Sequence, residues 1–246
     1  KDVTFSYPNG EEAVLKNIDF SCHKGQKIAV IGSTGSGKST LVKLMNRFYD
    51  VSRGSIEING VDIRKYNLES LRTQIGYVAQ KAHMFKGSIR SNICFGKPEA
   101  SKEEMVHAAT VAQASNFIST REHGYEDEIA EDGTNISGGQ KQRLSIARVI
   151  LKKPSLYIYD DSFSALDFKT DATLRKALKP EVKNAIFFVV AQRISTIMDS
   201  DMIIVLDEGQ IIGMGTHAQL LKDCSVYQEI AHSQLTQKEL DDYERN

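Results

Sequence analysis

Residues 27–39 read Lys27-Ile28-Ala29-Val30-Ile31-Gly32-Ser33-Thr34-Gly35-Ser36-Gly37-Lys38-Ser39, and Leu41, Leu44, Met45 and Phe48 follow at i, i+3, i+4 and i+7. An apolar run of strand length, a Gly-x4-Gly-Lys-Ser loop and a helical apolar face thus stand in succession, the setting a phosphate-binding loop requires. Each residue type has a task there. The glycines let the backbone curl until its N–H groups point inward, Lys38 reaches the β/γ-phosphates, and Ser39 offers a hydroxyl to Mg²⁺. The helix that follows adds its positive N-terminal end. The stretch predicts that the chain binds a nucleoside triphosphate, against the plain alternative of a flexible Gly/Ser turn.

Outward from the loop, the first sixty residues read as β: 3–7, 13–20, 27–31 and 55–58, the last followed by Asn59-Gly60, the strongest two-residue hairpin signal. Residues 75–78 form another short strand and 81–98 read as irregular. Residues 102–118 carry Met105, Ala108, Ala109 and Ala112 on one helical face. Residues 121–138 are rich in Glu, Asp and Gly and read as a surface loop. Helical spacing returns at Leu144, Ala147, Ile150 and Leu151, closed by Pro154. Apolar runs at 156–159, 186–190 and 202–206 alternate with helix-like segments at 166–178 and 192–198, which predicts a parallel sheet with helices on both faces. The stretch from Ser225 reads as a solvated helix or frayed end, because it finishes in Glu239-Leu240-Asp241-Asp242-Tyr243-Glu244-Arg245-Asn246.

With 246 residues, 41% hydrophobic and 26% charged, the chain can bury a real core. No stretch approaches the roughly 18 consecutive apolar residues of a membrane span, and Lys1-Asp2-Val3-Thr4-Phe5 opens into an alternating strand, so the chain is not expected to be an integral membrane protein. Its formal net charge of −1 argues against a sequence-independent nucleic-acid binder. Cys22, Cys94 and Cys224 are odd in number, far apart and without a Cys-x-x-Cys pair, which reads as reduced core thiols. The six histidines show no metal-ligand spacing.

A nucleotide-bound Mg²⁺ needs a second carboxylate, usually at the end of a buried strand. Asp160, after Leu156-Tyr157-Ile158-Tyr159, fits; the bland alternative is that Asp160-Asp161 opens a turn. Ile136-Ser137-Gly138-Gly139-Gln140 is a Ser/Gly-rich segment at a helix start. Either Ser137 is only an N-cap, or this helix end grips a nucleotide held by another subunit.

The phosphate loop, Gln80 after a strand, Ile136-Ser137-Gly138-Gly139-Gln140, the apolar run into Asp160, and Ser164-Ala165-Leu166-Asp167 occur together and in order. From Val3 to Glu229 the chain resembles the nucleotide-binding domain of ATP-binding-cassette (ABC) transporters. The resemblance implies an α/β fold: a P-loop NTPase core with a parallel sheet (1–80 and 154–224), an N-terminal antiparallel β subdomain, an inserted α-helical subdomain (81–153), and a charged tail at 230–246. It makes Tyr7 the aromatic that stacks on adenine, with a plain strand residue as the alternative. Gly32, Ser33, Thr34, Gly35, Ser36, Gly37, Lys38, Ser39 and Thr40 become the ATP cradle, and Ser39, Gln80 and Asp160 the neighbours of Mg²⁺. In that family two domains sandwich two ATP molecules head to tail, so Ser137, Gly139 and Gln140 would reach the partner's γ-phosphate and Asp167 would touch the opposite subunit. Gln80 would relay nucleotide state to transmembrane domains, which places the chain at the cytoplasmic face of a membrane. Residues 80–93 resemble the exporter branch, as does Ala130-Glu131-Asp132-Gly133, where exporters carry Gly-Glu-Arg-Gly; Asp132 reverses a charge there.

Two positions depart from the family. Asp161 stands where most members place the glutamate that activates the attacking water, one methylene too short, and a displacement of about 1 Å can cost roughly 100-fold. Gln192, in Val189-Val190-Ala191-Gln192-Arg193-Ile194, stands where the family has a switch histidine, and it cannot become cationic. With Ser137–Gln140 intact, the pattern predicts the hydrolysis-impaired half of a heterodimeric exporter whose partner is a different nucleotide-binding domain. The alternatives are a regulatory ATP-binding module with negligible hydrolysis and a homodimeric exporter ATPase. The soluble cassette ATPases of DNA repair or translation would need coiled coils, zinc inserts or tandem cassettes, which this sequence lacks. Absence of any span suggests a domain of a longer polypeptide.

Overall fold

The apolar run ahead of the phosphate loop is the strand Lys27–Gly32 in the computed structural model, which describes residues 1–8 and 10–235. Ile28, Ala29 and Val30 are wholly buried, with parallel strands on both sides. On one side lies Ile186–Val190, with Phe187 opposite Lys27 and Val190 opposite Val30; on the other lies Met202–Asp207, with Met202 opposite Ile28 and Leu206 opposite Gly32. A strand covered on both faces needs no polar alternation, which is why it reads as an unbroken apolar run. Gln210–Gly215 follows antiparallel to Met202–Asp207 and is more exposed at every second residue, as an edge requires.

These strands belong to one compact unit, the described residues of Lys1–Arg72 together with those from Ile186 onward. Its antiparallel part is present but shorter than the sequence suggests. Val3–Phe5 pairs with Leu15–Ile18, where a register shift and the left-handed Asn17 (φ 51°) mark a bulge that limits the pairing. Glu57–Ile58 pairs with Val61–Asp62 across Asn59 (φ 52°) and Gly60 (φ 76°), the two left-handed residues that a tight hairpin demands. The helix after the phosphate loop, Lys38–Met45, buries Leu41, Leu44 and Met45 but ends before Phe48. Arg47 turns left-handed (φ 51°), so Phe48 leaves the helical face and is 51% exposed.

The stretch from Ser225 is not a solvated end over its first turns. Ser225–Gln234 is a helix that wholly buries Tyr227 and Ala231 beside the helix His217–Asp223. The charged residues 236–246 lie outside the described residues. His217 is 3% exposed, its Nδ1 lies 2.6 Å from the Tyr227 hydroxyl, and burial lowers its pKa below the usual imidazole value. A histidine held neutral by folding binds its proton more readily when unfolded. Its contribution is therefore complete above the unfolded pKa of about 6.5 and is lost as the pH falls below it. The urea midpoint should accordingly drop between pH 7.5 and 5.5, and less so in His217→Gln.

The second unit is Thr73–Ala185. Ile75–Val78 runs parallel to Leu156–Asp160, with Ile75 opposite Leu156 and Val78 opposite Tyr159. The longest helix of this unit, Gly138–Lys152, buries Leu144, Ile146, Ala147, Ile150 and Leu151 and packs against the helices Ile89–Cys94 and Lys102–Val111 and the strand Ile75–Val78. Lys153 then turns left-handed (φ 52°) ahead of Pro154, which ends the helix. The segment expected to be irregular holds the strand Gly87–Ser88, paired with Glu128–Ile129, and the helix Ile89–Cys94, capped by the Ser88 hydroxyl. The helix expected over 102–118 is two, Lys102–Val111 and Ser115–Ser119, because Gln113 (φ 58°) breaks the run between them. Periodicity alone could not show a left-handed break among alanines.

Candidate nucleotide site

Within the first unit, the backbone passes at Gly32 and Gly37 where a side chain does not fit. A Cβ on Gly32 would lie 2.0 Å from the Leu206 carbonyl oxygen; Gly37 adopts φ 104° and a Cβ there would lie 2.6 Å from Leu15 Cδ2. Glycine at 37 is thus set by conformation and space together. Gly37 is also the N-cap of Lys38–Met45 and carries no side-chain acceptor, so no capping side chain claims the first-turn N–H groups. The Lys38 ammonium folds back over the loop and donates to the carbonyls of Gly32 (2.8 Å) and Ser33 (2.6 Å) and to the Ser36 hydroxyl (3.2 Å). Ser33, Thr34, Gly35 and Ser39 are exposed, and the Ser33 hydroxyl donates to Asp207 Oδ1 at 3.2 Å. Left-handed glycines at 35 and 37, a lysine and a helix N-terminus suit a polyanion.

Tyr7 lies past the end of the strand Val3–Phe5, not within it. Its hydroxyl is 3.1 Å from the hydroxyl of Thr40, a residue buried in the helix after the loop, which ties the aromatic to the phosphate loop. Phe5 and Tyr49 meet the Tyr7 ring edge-on at 5.0 and 5.2 Å, and the Lys43 ammonium lies 5.7 Å from its centroid. Gln192, exposed after Ile186–Val190, has its carbonyl hydrogen-bonded by the Gln234 side chain at 2.8 Å.

In the second unit, Asp160 ends its strand and is 8% exposed, and the Tyr77 hydroxyl donates to its Oδ2 at 3.3 Å. Burial, with the Asp160 charge adding to it, pushes the Tyr77 phenol up to about 12, so it remains a donor at neutral pH. Asp161 adopts a left-handed backbone (φ 46°), which aspartate tolerates better than most residues. Its Oδ2 accepts from Gln80 Nε2 at 3.0 Å, so the structure brings together two residues 81 positions apart that sequence reading had assigned to one reaction. Gln142, on the long helix, donates to the Ala79 carbonyl at 3.1 Å and anchors the segment leading into Gln80.

Ser137 is the N-cap of Gly138–Lys152, and the box is reciprocal: Gln140 N–H donates to Ser137 Oγ (3.3 Å) and Ser137 N–H to Gln140 Oε1 (3.0 Å). Accepting a bond leaves the serine proton available to donate outward, so capping and phosphate binding are compatible. No neighbour lies within 4 Å of a Cβ built on Gly138, whereas one on Gly139 would lie 3.4 Å from the Ala165 carbonyl. Replacing Ser137 by alanine should cost about 1 kcal/mol of stability through the lost cap, checked by a denaturant midpoint. Asp167 caps Phe168–Glu181, and the backbone N–H of Thr170 holds its carboxyl below the usual value.

Sequence reading missed Asp207, Tyr77 and Gln234. Each is defined by a partner far along the chain, and no local pattern marks any of them.

The profile described as ABC transporter matches residues 15–164. The chain belongs to the ABC transporter family. As an ATP-binding domain of that family it is 44% identical over 235 residues to an uncharacterized ABC transporter ATP-binding protein of Mycobacterium tuberculosis, covering 94% of this chain and 40% of the relative. It is 41% identical over 236 residues to the ATP-dependent lipid A-core flippase of Pasteurella multocida, covering 96% of this chain and 40% of that protein. Its fold matches a solved bacterial Atm1-family ABC exporter with ATP bound, with a TM-score of 0.91, 36% identity, and coverage of 95% of this chain and 41% of that one. This ABC domain thus spans about two fifths of the length of these relatives. No helix among its described residues is long and apolar enough to cross a membrane.

Proposed function

We propose that this ABC domain binds ATP with Mg²⁺, pairs head to tail with a second nucleotide-binding domain, and drives export through transmembrane domains at the cytoplasmic face of a membrane. Its own hydrolytic site is weakened, while its Ser137–Gln140 segment completes the partner's. Residues 32–40, with Lys38 foremost, cradle the phosphates and Tyr7 offers its ring to the base. Ser39, Gln80 and Asp160 supply hydroxyl, amide and carboxylate oxygens, a hard donor set that suits Mg²⁺. Among the described residues no cluster of three or more His, Cys, Asp or Glu could hold a metal by itself, in keeping with a cation carried mainly by phosphate oxygens. When bound, Mg²⁺ neutralises phosphate charge that builds during transfer.

What supports the reading is that a chain with a complete phosphate loop and a complete Ser137–Gln140 box carries a shortened acid at position 161. Asp161 reaches one methylene less than glutamate and is held by Gln80 at 3.0 Å. Glutamine at 192 donates a neutral hydrogen bond where a histidine could bring charge. Binding depends on the cradle; hydrolysis depends on interactions that strengthen in the transition state, and those are the ones reduced. This combination supports a heterodimer, because a domain poor in its own base keeps the means to serve another.

The homodimer remains the second reading, favoured by the retained carboxylate of Asp161. Purifying the intact transporter and identifying its subunits separates the two. Two different nucleotide-binding domains in one particle are expected, and particles holding only copies of this chain would end the heterodimer proposal.

A further inference from the structure

The backbone of the switch segment is held from the far end of the chain. Gln234 Nε2 donates to the Gln192 carbonyl at 2.8 Å while Gln234 Oε1 accepts from Ile194 N–H at 2.9 Å. Arg193 between them is extended (φ −103°, ψ 127°), and in extended backbone the carbonyl of one residue and the N–H two positions on point to the same side. One primary amide therefore satisfies both, as a neighbouring strand would. Gln234 is the last residue of Ser225–Gln234, so its Cα is fixed by that helix. The helix is itself fastened: Tyr227 and Ala231 are wholly buried, the Tyr227 hydroxyl meets His217, and Gln228 Nε2 donates to the Leu221 carbonyl at 2.6 Å.

We infer that Gln234 is a positioning residue, through which the helix Ser225–Gln234 fixes the backbone that presents Gln192 to a bound nucleotide. The inference rests on the proposed role of Gln192. A helix fastened to its neighbour and to the switch segment makes the conformation at 192–194 answer to the position of Ser225–Gln234. Displacing that helix would slacken the segment.

Two variants of the whole chain separate the contacts. Gln234→Met keeps the length and removes both hydrogen bonds; Gln234→Glu keeps the acceptor for Ile194 N–H and removes the donor to Gln192. Hydrogen exchange of the Ile194 amide should accelerate at least about fivefold in Gln234→Met, the Boltzmann factor of one ordinary hydrogen bond, and stay near the parent rate in Gln234→Glu. Single-turnover hydrolysis of Mg²⁺-ATP should slow in both variants with the apparent affinity for ATP within about twofold, a split that general loss of structure would not give. Unchanged Ile194 exchange in Gln234→Met would overturn the inference. So would unchanged turnover in both variants when Gln192→Ala slows it. If Gln192→Ala leaves turnover untouched, the role assigned to Gln192 fails, and the exchange of Ile194 alone upholds the brace.

Discussion

Asp161→Glu combined with Gln192→His is expected to raise steady-state Mg²⁺-ATP hydrolysis by about 100-fold while ATP affinity stays within about threefold. The size follows from geometry, because a reacting group misplaced by about 1 Å forfeits on the order of 100-fold of effective molarity. A glutamate would carry the carboxylate one methylene further from a backbone already fixed at φ 46° and past the grip of Gln80, now 3.0 Å away. Histidine at 192 would restore a group able to bear positive charge. Affinity should hold, since the phosphate loop is untouched and only interactions confined to the transition state change. Parallel assays of turnover and of equilibrium ATP binding check both halves. Equal turnover in parent and double variant would make Asp161 and Gln192 competent replacements and remove the case for a heterodimer.

Lys38→Met should weaken ATP binding by about 10- to 100-fold, the loss of one charge-assisted contact worth about 1.5–3 kcal/mol. The folded state should hardly change. The carbonyls that now accept from Lys38 belong to Gly32, half-buried at the end of its strand, and to exposed Ser33, where water replaces the ammonium. Titration with ATP measures the first effect and a denaturant midpoint the second. Retained affinity with lost stability would make Lys38 a brace of the loop instead of a ligand for phosphate.

Features whose causes lie within a few residues were legible in the sequence. The phosphate loop, the Asn59-Gly60 hairpin, the cap at Ser137 and the helix that ends ahead of Pro154 all follow from local conformational preference. Where reading failed, a short-range pattern was cut by a backbone event with no sequence mark: left-handed Arg47 removes Phe48 from its helix, and left-handed Gln113 divides residues 102–118. The helix at Ser225–Gln234 looked solvated because charge further along dominated the composition, yet Tyr227 and Ala231 share one face and are buried.

By itself, then, the sequence determined the family, the succession of strand, glycine-rich loop and helix at 27–45, and the presence of Asp161 and Gln192, because these depend on residue identity at fixed local spacing. Tertiary structure alone decided which groups steer them. Tyr77 donates to Asp160 from 83 residues away, Gln80 to Asp161 from 81, and Gln234 to the Gln192 carbonyl from 42. A hydrogen bond acts over about 3 Å, so its partner is chosen by how the strands and helices pack, and spacing along the chain carries no trace of that choice.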